Sequence, residues 1–300
     1  MVGLPLIYII LINYNGYKDT IECVQSLKKI NYKNFKIVIV DNASTNDSIV
    51  HLNKLDDCTI IESKNNLGFA GGNNLGIKYA IKNLADYVLL LNNDTVVEND
   101  FLDKMIKTFS VNEEIGVVGC KIKYYTQKNV IWYGGGRINW FKFIGEHYGM
   151  KEIDKGQYDE KQEIDFMTGC CMLISREAIE KVGVLTEDYF MYFEDVDYCV
   201  KVRQAGFKIY YNPEAVIYHK VGFASGGEES PFSIKWCTRN RLVFMNRYKD
   251  VVGVKNYFLS LLYFYSTRLI KIFGYIFKFD MEKAIAIIEG IKMSKKSIEN

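Results

Sequence analysis

The first part of the chain reads as short unbroken apolar runs separated by segments with helical spacing. Residues 6–11 are continuously apolar, as expected of a strand covered on both faces. Over residues 20–30, Ile21, Val24, Leu27 and Ile30 recur on one helical face. Residues 35–40 form a second buried strand, 48–55 a helix and 59–61 a short third strand. A helix over 73–84, with Leu75, Tyr79, Ala80 and Leu84 as inner positions, leads into a fourth strand at 87–91. A helix over 101–109 and a strand over 116–122 complete the series. Strand and helix in alternation predict an α/β fold, a doubly wound and mostly parallel central sheet with helices on both faces.

The rhythm then changes. Residues 124–165 carry Gly134-Gly135-Gly136 and several aromatic residues with no helical period, and read as loops and hairpins. A strand over 172–174 and a helix over 176–182 follow, then a helix over 196–205 stopped by Gly206. Two short strands, 208–211 and 215–218, flank Pro213, and 222–230 is a Gly/Ser loop. From residue 234 onward the pattern is mostly helical.

Composition alters this picture in one respect. The 300 residues are 49% hydrophobic and 25% charged, which excludes a disordered chain. The net charge of +2 is an average over two unlike parts. Residues 1–230 hold 25 basic and 31 acidic residues, whereas 231–300 hold 13 and 5. An acidic body therefore carries a basic tail, a balance that fits no nucleic-acid specialist. The longest uncharged stretch of the tail, 256–267, is too short to span a bilayer. Within 251–279, Arg268, Lys271, Tyr275 and Lys278 form a polar stripe, with Ile270, Ile272, Phe273, Ile276 and Phe277 on the other faces. That pattern predicts an interfacial helix whose cations meet anionic headgroups. Packing on the body, or a homodimer contact, is the competing reading. The seven cysteines are odd in number and include no C-x-x-C pair, so they read as buried thiols of a protein in the reducing cytoplasm.

Ligands of open α/β sheets bind beyond the carboxyl ends of the strands. Polar clusters stand at four such ends: Asn13-Tyr14-Asn15-Gly16, Asp41-Asn42-Ala43-Ser44-Thr45, the segment 65–74, and Asn92-Asn93-Asp94. Each alone suits a turn or helix cap; four on one rim predict a cleft for a polar ligand. The Gly-rich segment 65–74 has neither the dinucleotide-fingerprint nor the P-loop spacing. Asp94, just past an apolar strand, could hold a divalent cation against a diphosphate or cap the next helix. In Phe193-Glu194-Asp195-Val196-Asp197, an aromatic lead-in precedes a carboxylate cluster suited to a general base, or to the first turn of a helix. His219 reads as a metal or phosphate contact or as a structural histidine. Thr168-Gly169 could line an acceptor pocket.

Taken in order, these clusters resemble glycosyltransferase family 2, and within it the rhamnosyltransferase-like members of bacterial surface-polysaccharide synthesis. The set comprises Asn13-Tyr14-Asn15, Asp41 to Ser44, Asn66 to Asn73, Asn92-Asn93-Asp94, Thr168-Gly169, Phe193 to Asp197, and His219 with Gly222 and Ser225. It covers roughly residues 5–230. The resemblance implies a Rossmann-like GT-A domain over 1–230, with a nucleotide-sugar half at about 1–123, an acceptor half at about 124–230, and a helical extension at 231–300. It implies an inverting hexosyltransferase that takes a nucleoside-diphosphate sugar, dTDP-rhamnose first and UDP-sugars next. The acceptor would be a glycan or a lipid-diphosphate saccharide at the inner face of the plasma membrane. Asn13, Asn15, Asp41, Asn66, Gly68, Gly72, Asn73 and Asn93 would bind the donor, Asp41 reading the base ring. Asp94 and His219 would hold Mg²⁺ or Mn²⁺, Asp195 would be the catalytic base, and Thr168, Gly169 and Glu194 would face the acceptor. Where such families usually carry D-x-D, this chain has Asn92 first, leaving Asp94 as the carboxylate. The competing functions are a non-catalytic sugar-nucleotide or glycan binder and a membrane-docked assembly protein on the same scaffold.

Overall fold

The structure is a computed structural model and describes residues 3–221 and 229–299, the side chains of Lys296, Ile298 and Glu299 excepted. Its first strand, β1 (Ile7–Asn13), is apolar throughout until Asn13 and almost wholly buried. The chain continues through α1 (Tyr17–Leu27), β2 (Phe35–Asp41), α2 (Ser48–Leu52), β3 (Cys58–Glu62), α3 (Gly68–Lys82), β4 (Tyr87–Leu91), β5 (Thr95–Val97) and α4 (Phe101–Thr108). Then follow β6 (Ile115–Tyr124), β7 (Ile131–Tyr133), β8 (Gly136–Asn139), β9 (Ile144–His147), β10 (Gln162–Glu163), β11 (Cys171–Ser175), α5 (Arg176–Val182), α6 (Glu194–Gln204) and β12 (Lys208–His219). The last elements are α7 (Pro231–Arg247), α8 (Lys249–Phe277) and α9 (Met281–Glu299).

Ten strands form one sheet, in the order β10-β12-β6-β11-β4-β1-β2-β3, with β5 beside β12 and β7 beside β6. Strands β1 to β4 run parallel, as do β6 and β12. Between these two groups β11 runs antiparallel to both β4 and β6. The strand order reverses between β1 and β4. Such a reversal opens a crevice at the carboxyl edge, where Asn13 ends β1 and Asn92-Asn93-Asp94 follow β4.

Two sequence expectations need correction. Helix α3 begins at Gly68, inside the Gly-rich segment, and its inner face is not apolar at Leu75, Tyr79 and Leu84. Leu84 is 75% exposed, and the buried positions include Gly72, Gly76, Ile77 and Ala80. A Cβ at Gly76 would collide with the Ile10 side chain, and one at Gly72 would lie 3.2 Å from Ile12 Cγ2. The missing side chains let the helix lie close against β1. The segments flanking Pro213 join into the single strand β12. A register shift between Asn212 and Val216 absorbs the proline, which has no N–H for the ladder.

The chain divides into two compact units. The first comprises Met1–Arg137, His147–Phe190 and Glu194–Val221; the second comprises Ile138–Glu146, Met191–Phe193 and Gly222–Asn300. In the second unit α9 packs along α7 and touches α8. Gly253, at φ +75°, breaks the helical path within α8. Among the described residues no helix is long and apolar enough to cross a membrane. The polar stripe of α8 is not uniformly outward. Arg268 lies against Phe264, and the Tyr275 ring receives Lys283 of α9, whereas Phe258, Leu262, Ile270 and Phe277 are 65%, 66%, 70% and 82% exposed. All seven cysteines are free thiols.

Candidate active site

The carboxyl edge of β1 and β2 is knitted by side chains. Asn13 and Asp41 are register partners, and Asn13 Nδ2 donates to Asp41 Oδ1 at 2.8 Å. Thr20 Oγ1 donates to Asn13 Oδ1 at 3.0 Å and accepts from Asn93 Nδ2 at 2.8 Å. Ser44 closes the far end, its hydroxyl donating to Asp41 Oδ1 at 2.6 Å and its N–H to Oδ2 at 3.0 Å. A continuous chain thus runs Asn93–Thr20–Asn13–Asp41–Ser44. It fixes the carboxylate where a base ring could be read by hydrogen bonds.

The remaining donor-side residues hold backbone. Asn15, exposed and at φ +59°, accepts from Thr45 N at 2.8 Å through Oδ1. Asn66 Oδ1 accepts from Gly68 N at 2.9 Å and from Asn42 Nδ2 at 3.1 Å, which starts α3. Gly68 sits at φ +69°, where a Cβ would also strike the Phe190 carbonyl oxygen. That carbonyl accepts from Phe69 N at 2.6 Å and Ala70 N at 3.3 Å. Gly72 leaves room for Asn42, whose Nδ2 would stand 3.3 Å from a Cβ there. Asn73 donates to Phe69 O within its own helix, so its amide faces the helix rather than the crevice.

On the other side of the switch point, Asp94 Oδ1 lies 3.1 Å from His219 Nε2, both residues buried. Pairing of β5 with β12 produces this meeting across a long stretch of sequence, Thr95 lying opposite His219. Burial alone would raise the Asp94 carboxyl, but His219 and Lys220 bring it below its ordinary value. Asn92 Nδ2 stands 3.4 Å from the same His219 nitrogen. The other ring nitrogen, Nδ1, is buried without a hydrogen-bond partner among the described residues, and the Trp132 ring meets His219 edge-on at 4.6 Å. Lys220 is anchored by Asp19 at 2.5 Å and Glu22 at 2.7 Å. Gly222 and Ser225, which the resemblance groups with His219, lie outside the described residues.

Asp195 is half-buried at the start of α6. Its Oδ2 accepts from Gly169 N at 3.0 Å and its Oδ1 from Val196 N at 2.8 Å. Burial raises its carboxyl above the ordinary aspartate value, against the pull of those N–H groups. A Cβ on Gly169 would come 3.1 Å from the Phe69 ring, which would have to give slightly, and 3.5 Å from Asp195 Cβ. Thr168 is buried and its hydroxyl accepts from Cys170 N at 3.3 Å. Glu194 is buried with Oε2 unpartnered among the described residues. Burial first, then the charge of Asp195, pushes its carboxyl well above the usual range. Asp197 plays a different part: Thr186 and Tyr189 hydroxyls donate to it at 2.6 and 3.1 Å.

The consecutive residues Gly169 and Cys170 join the two halves of the site. Gly169 N holds Asp195, and Cys170 O accepts from Asn92 N at 2.9 Å. The structure thus brings together Asn13, Asp41 and Asn93 as one network, Asp94 with His219, and Asp195 with Gly169. Sequence reasoning did not single out Thr20, Trp132 or Lys220. Nor did it single out Asn240 of α7, whose Nδ2 donates to the carbonyls of Met191 and Tyr192 at 2.8 Å each, just ahead of Glu194 in the chain. The backbone there is unusual, with positive φ at Phe190, Tyr192 and Phe193, a strained run leading into the acidic turn.

The sheet and its covering helices are those of the GT-A glycosyltransferase fold. The chain superposes on GalNAc-T7 with UDP, GalNAc and Mn²⁺ at a TM-score of 0.64 and 17% identity, over 83% of this chain and 50% of that one. It also superposes on the mannosyltransferase PcManGT from Pyrobaculum calidifontis, in complex with GDP-Man and Mn²⁺, at 0.59 and 16%, over 95% and 74%. The sequence profile of glycosyl transferase family 2 matches residues 8–183, and the chain belongs to that family. The matched span includes Asp41, Asp94 and Gly169 and ends before Asp195 and His219. The low-salt glycan biosynthesis hexosyltransferase Agl10 of Haloferax volcanii is 25% identical over 239 residues, 79% of this chain and 75% of that protein. The dTDP-rhamnosyl transferase RfbF of Shigella flexneri is 22% identical over 225 residues, 72% and 69% of the two chains.

Proposed function

We propose that this chain transfers a hexosyl group, with inversion, from a nucleoside-diphosphate sugar to a glycan or lipid-diphosphate saccharide acceptor. The observation that carries the reading is the Gly169-Cys170 tie, which seats a half-buried carboxylate beside the turn bearing Asp94. Asp195 takes the proton of the acceptor hydroxyl. The freed oxygen attacks the anomeric carbon, and the bond from that carbon to the diphosphate oxygen breaks on the opposite face. Asp41, held by Asn13 and Ser44, reads the base ring. Glu194 and the Thr168-Gly169 turn border the acceptor.

Asp94 and His219 are the residues that would hold Mg²⁺ or Mn²⁺. At 3.1 Å from each other, the Asp94 oxygen and the His219 nitrogen are close enough that one cation would take both as ligands. Among the described residues no group of three or more His, Cys, Asp and Glu forms a cage. Such a pair suits a cation that completes its shell with substrate oxygens and water. When bound, it would offset charge on the departing diphosphate.

dTDP-rhamnose is the first donor in this reading and UDP-sugars the second, supported by the 22% likeness to a dTDP-rhamnosyl transferase. A donor panel with Mn²⁺, scored by slow hydrolysis and thermal stabilisation, tests it. Hydrolysis of at least one sugar nucleotide is expected. Stabilisation without any turnover would instead support a non-catalytic binder.

The exposed apolar residues of α8, flanked by Lys255, Lys271 and Lys278, support attachment to the inner face of the plasma membrane. The full-length protein is expected to pellet with anionic vesicles at low salt and to remain in the supernatant with neutral ones. Equal recovery in the supernatant with both rejects membrane attachment in favour of a second copy covering that face.

A further inference from the structure

The second unit contains two guanidinium groups that meet no acid among the described residues. Arg241 of α7 is 6% exposed, and its Nε donates to Lys142 O at 2.6 Å. Its Nη2 is buried with no partner among the described residues. Arg268 of α8 makes no hydrogen bond among the described residues, and its Nε is also buried and unpartnered. Both guanidinium carbons lie 5.1 Å from the centroid of the Phe264 ring. One turn before Phe264 on the same face of α8, the Ser260 hydroxyl is buried and unpartnered as well.

A buried guanidinium without a counterion is costly, and removing an acid partner from a buried pair normally destabilises a protein strongly. Here no carboxylate stands within ion-pair distance of either arginine among the described residues. The Phe264 ring, joined for Arg241 by the Tyr263 ring at 5.8 Å, gives partial compensation only. Burial lowers Arg241 to about 10, with the charge of Arg268 pushing the same way, and burial lowers Arg268 too. Two cations beside one ring, with a buried hydroxyl one turn along, make a cluster rich in donors and without an acid among the described residues. Its charge calls for a dianion, which a phosphate ester or diphosphate supplies and a single carboxylate does not. Planar guanidinium forks match phosphate oxygens in pairs.

We propose that Arg241 and Arg268, with Ser260, form a binding cradle for a phosphate dianion in the helical unit. The phosphate could be carried on a lipid or be free in solution, and the two sources are separable. This inference does not depend on sugar transfer.

The full-length protein and its Arg241→Gln and Arg268→Gln variants would be melted in EDTA with and without inorganic pyrophosphate. They would also be sedimented with phosphatidic acid vesicles and with phosphatidylcholine vesicles. Without ligand, the variants are expected to melt no lower than the parent, because an uncompensated charge has been removed. In at least one arm, pyrophosphate stabilisation or phosphatidic acid binding, the variants are expected to bind about tenfold more weakly or worse. Loss confined to the vesicle arm assigns a lipid phosphate; loss in the pyrophosphate arm assigns a soluble one. Unchanged response in both arms, or variants that melt lower without ligand, overturns the cradle.

Discussion

Asp195→Asn is expected to lower the turnover of sugar transfer by about 10²–10⁴-fold while leaving donor affinity within a few-fold of the parent. The amide cannot accept the acceptor's proton, so the effect falls on the chemical step rather than on binding. Its oxygen can still accept from Gly169 N, the bond that now measures 3.0 Å to the carboxylate. Stability should not suffer. The folded-state carboxyl is raised, so the folded protein binds its proton more tightly than the unfolded chain does. The stabilisation from that proton is complete below the unfolded value and is lost as pH rises through the folded one. Above that range the ionised group costs stability, and the neutral amide melts there at the same temperature or higher. The same shift sets the acid limb of the rate profile. Turnover of the parent should fall with decreasing pH through a value above 3.8, the ordinary aspartate figure. Near-parental turnover in the amide variant rules Asp195 out as the base.

Asp94→Asn is expected to lower turnover by about 10²–10³-fold, the usual loss when one group facing a developing oxyanion is removed. One consequence follows from the 3.1 Å contact with His219. Mn²⁺ binding, read by the loss of its free-ion electron paramagnetic resonance signal, should weaken sharply. Unaltered Mn²⁺ affinity in the variant would show that the cation, if any, sits elsewhere. Asp94 lies below its ordinary value, so it remains ionised over the range in which Asp195 titrates and adds nothing to the acid limb.

Much of the scaffold was legible because parallel strands covered on both faces are unbroken apolar runs. Strand β4 falls where the run Tyr87 to Leu91 places it, and β1, β2 and β3 differ only at their ends. Helix α3 was less legible because its contacts are made by absent side chains. Gly72 and Gly76 carry no hydrophobic signal, yet they set how closely the helix approaches Ile10 and Ile12. The direction of β11 was hidden for another reason: five apolar residues look alike in either orientation, and only the pairing with β4 and β6 decides it.

The polar rim shows a similar division. Four strand-end clusters marked the edge of the sheet correctly, but not which side chains face outward. Asn13 and Asp41 meet in register, while Asn15, Asn66 and Asn73 turn to backbone partners. Thr20 looks like any helical residue in sequence, although its hydroxyl links Asn13 to Asn93. The basic tail misled in one detail. Spacing placed Arg268 on an outward stripe, whereas packing of α8 turns it onto Phe264.

Inversion at the anomeric carbon follows from a single displacement assisted by one carboxylate. It can be observed without knowledge of the acceptor. The full-length protein would be incubated with Mn²⁺ and the sugar nucleotide selected from the donor panel. The first-formed free sugar would be followed by proton nuclear magnetic resonance before mutarotation. The anomer opposite in configuration to the donor is the expected first product, and its rate should fall with Asp195→Asn. A first product of retained configuration would contradict the direct displacement and the role given to Asp195.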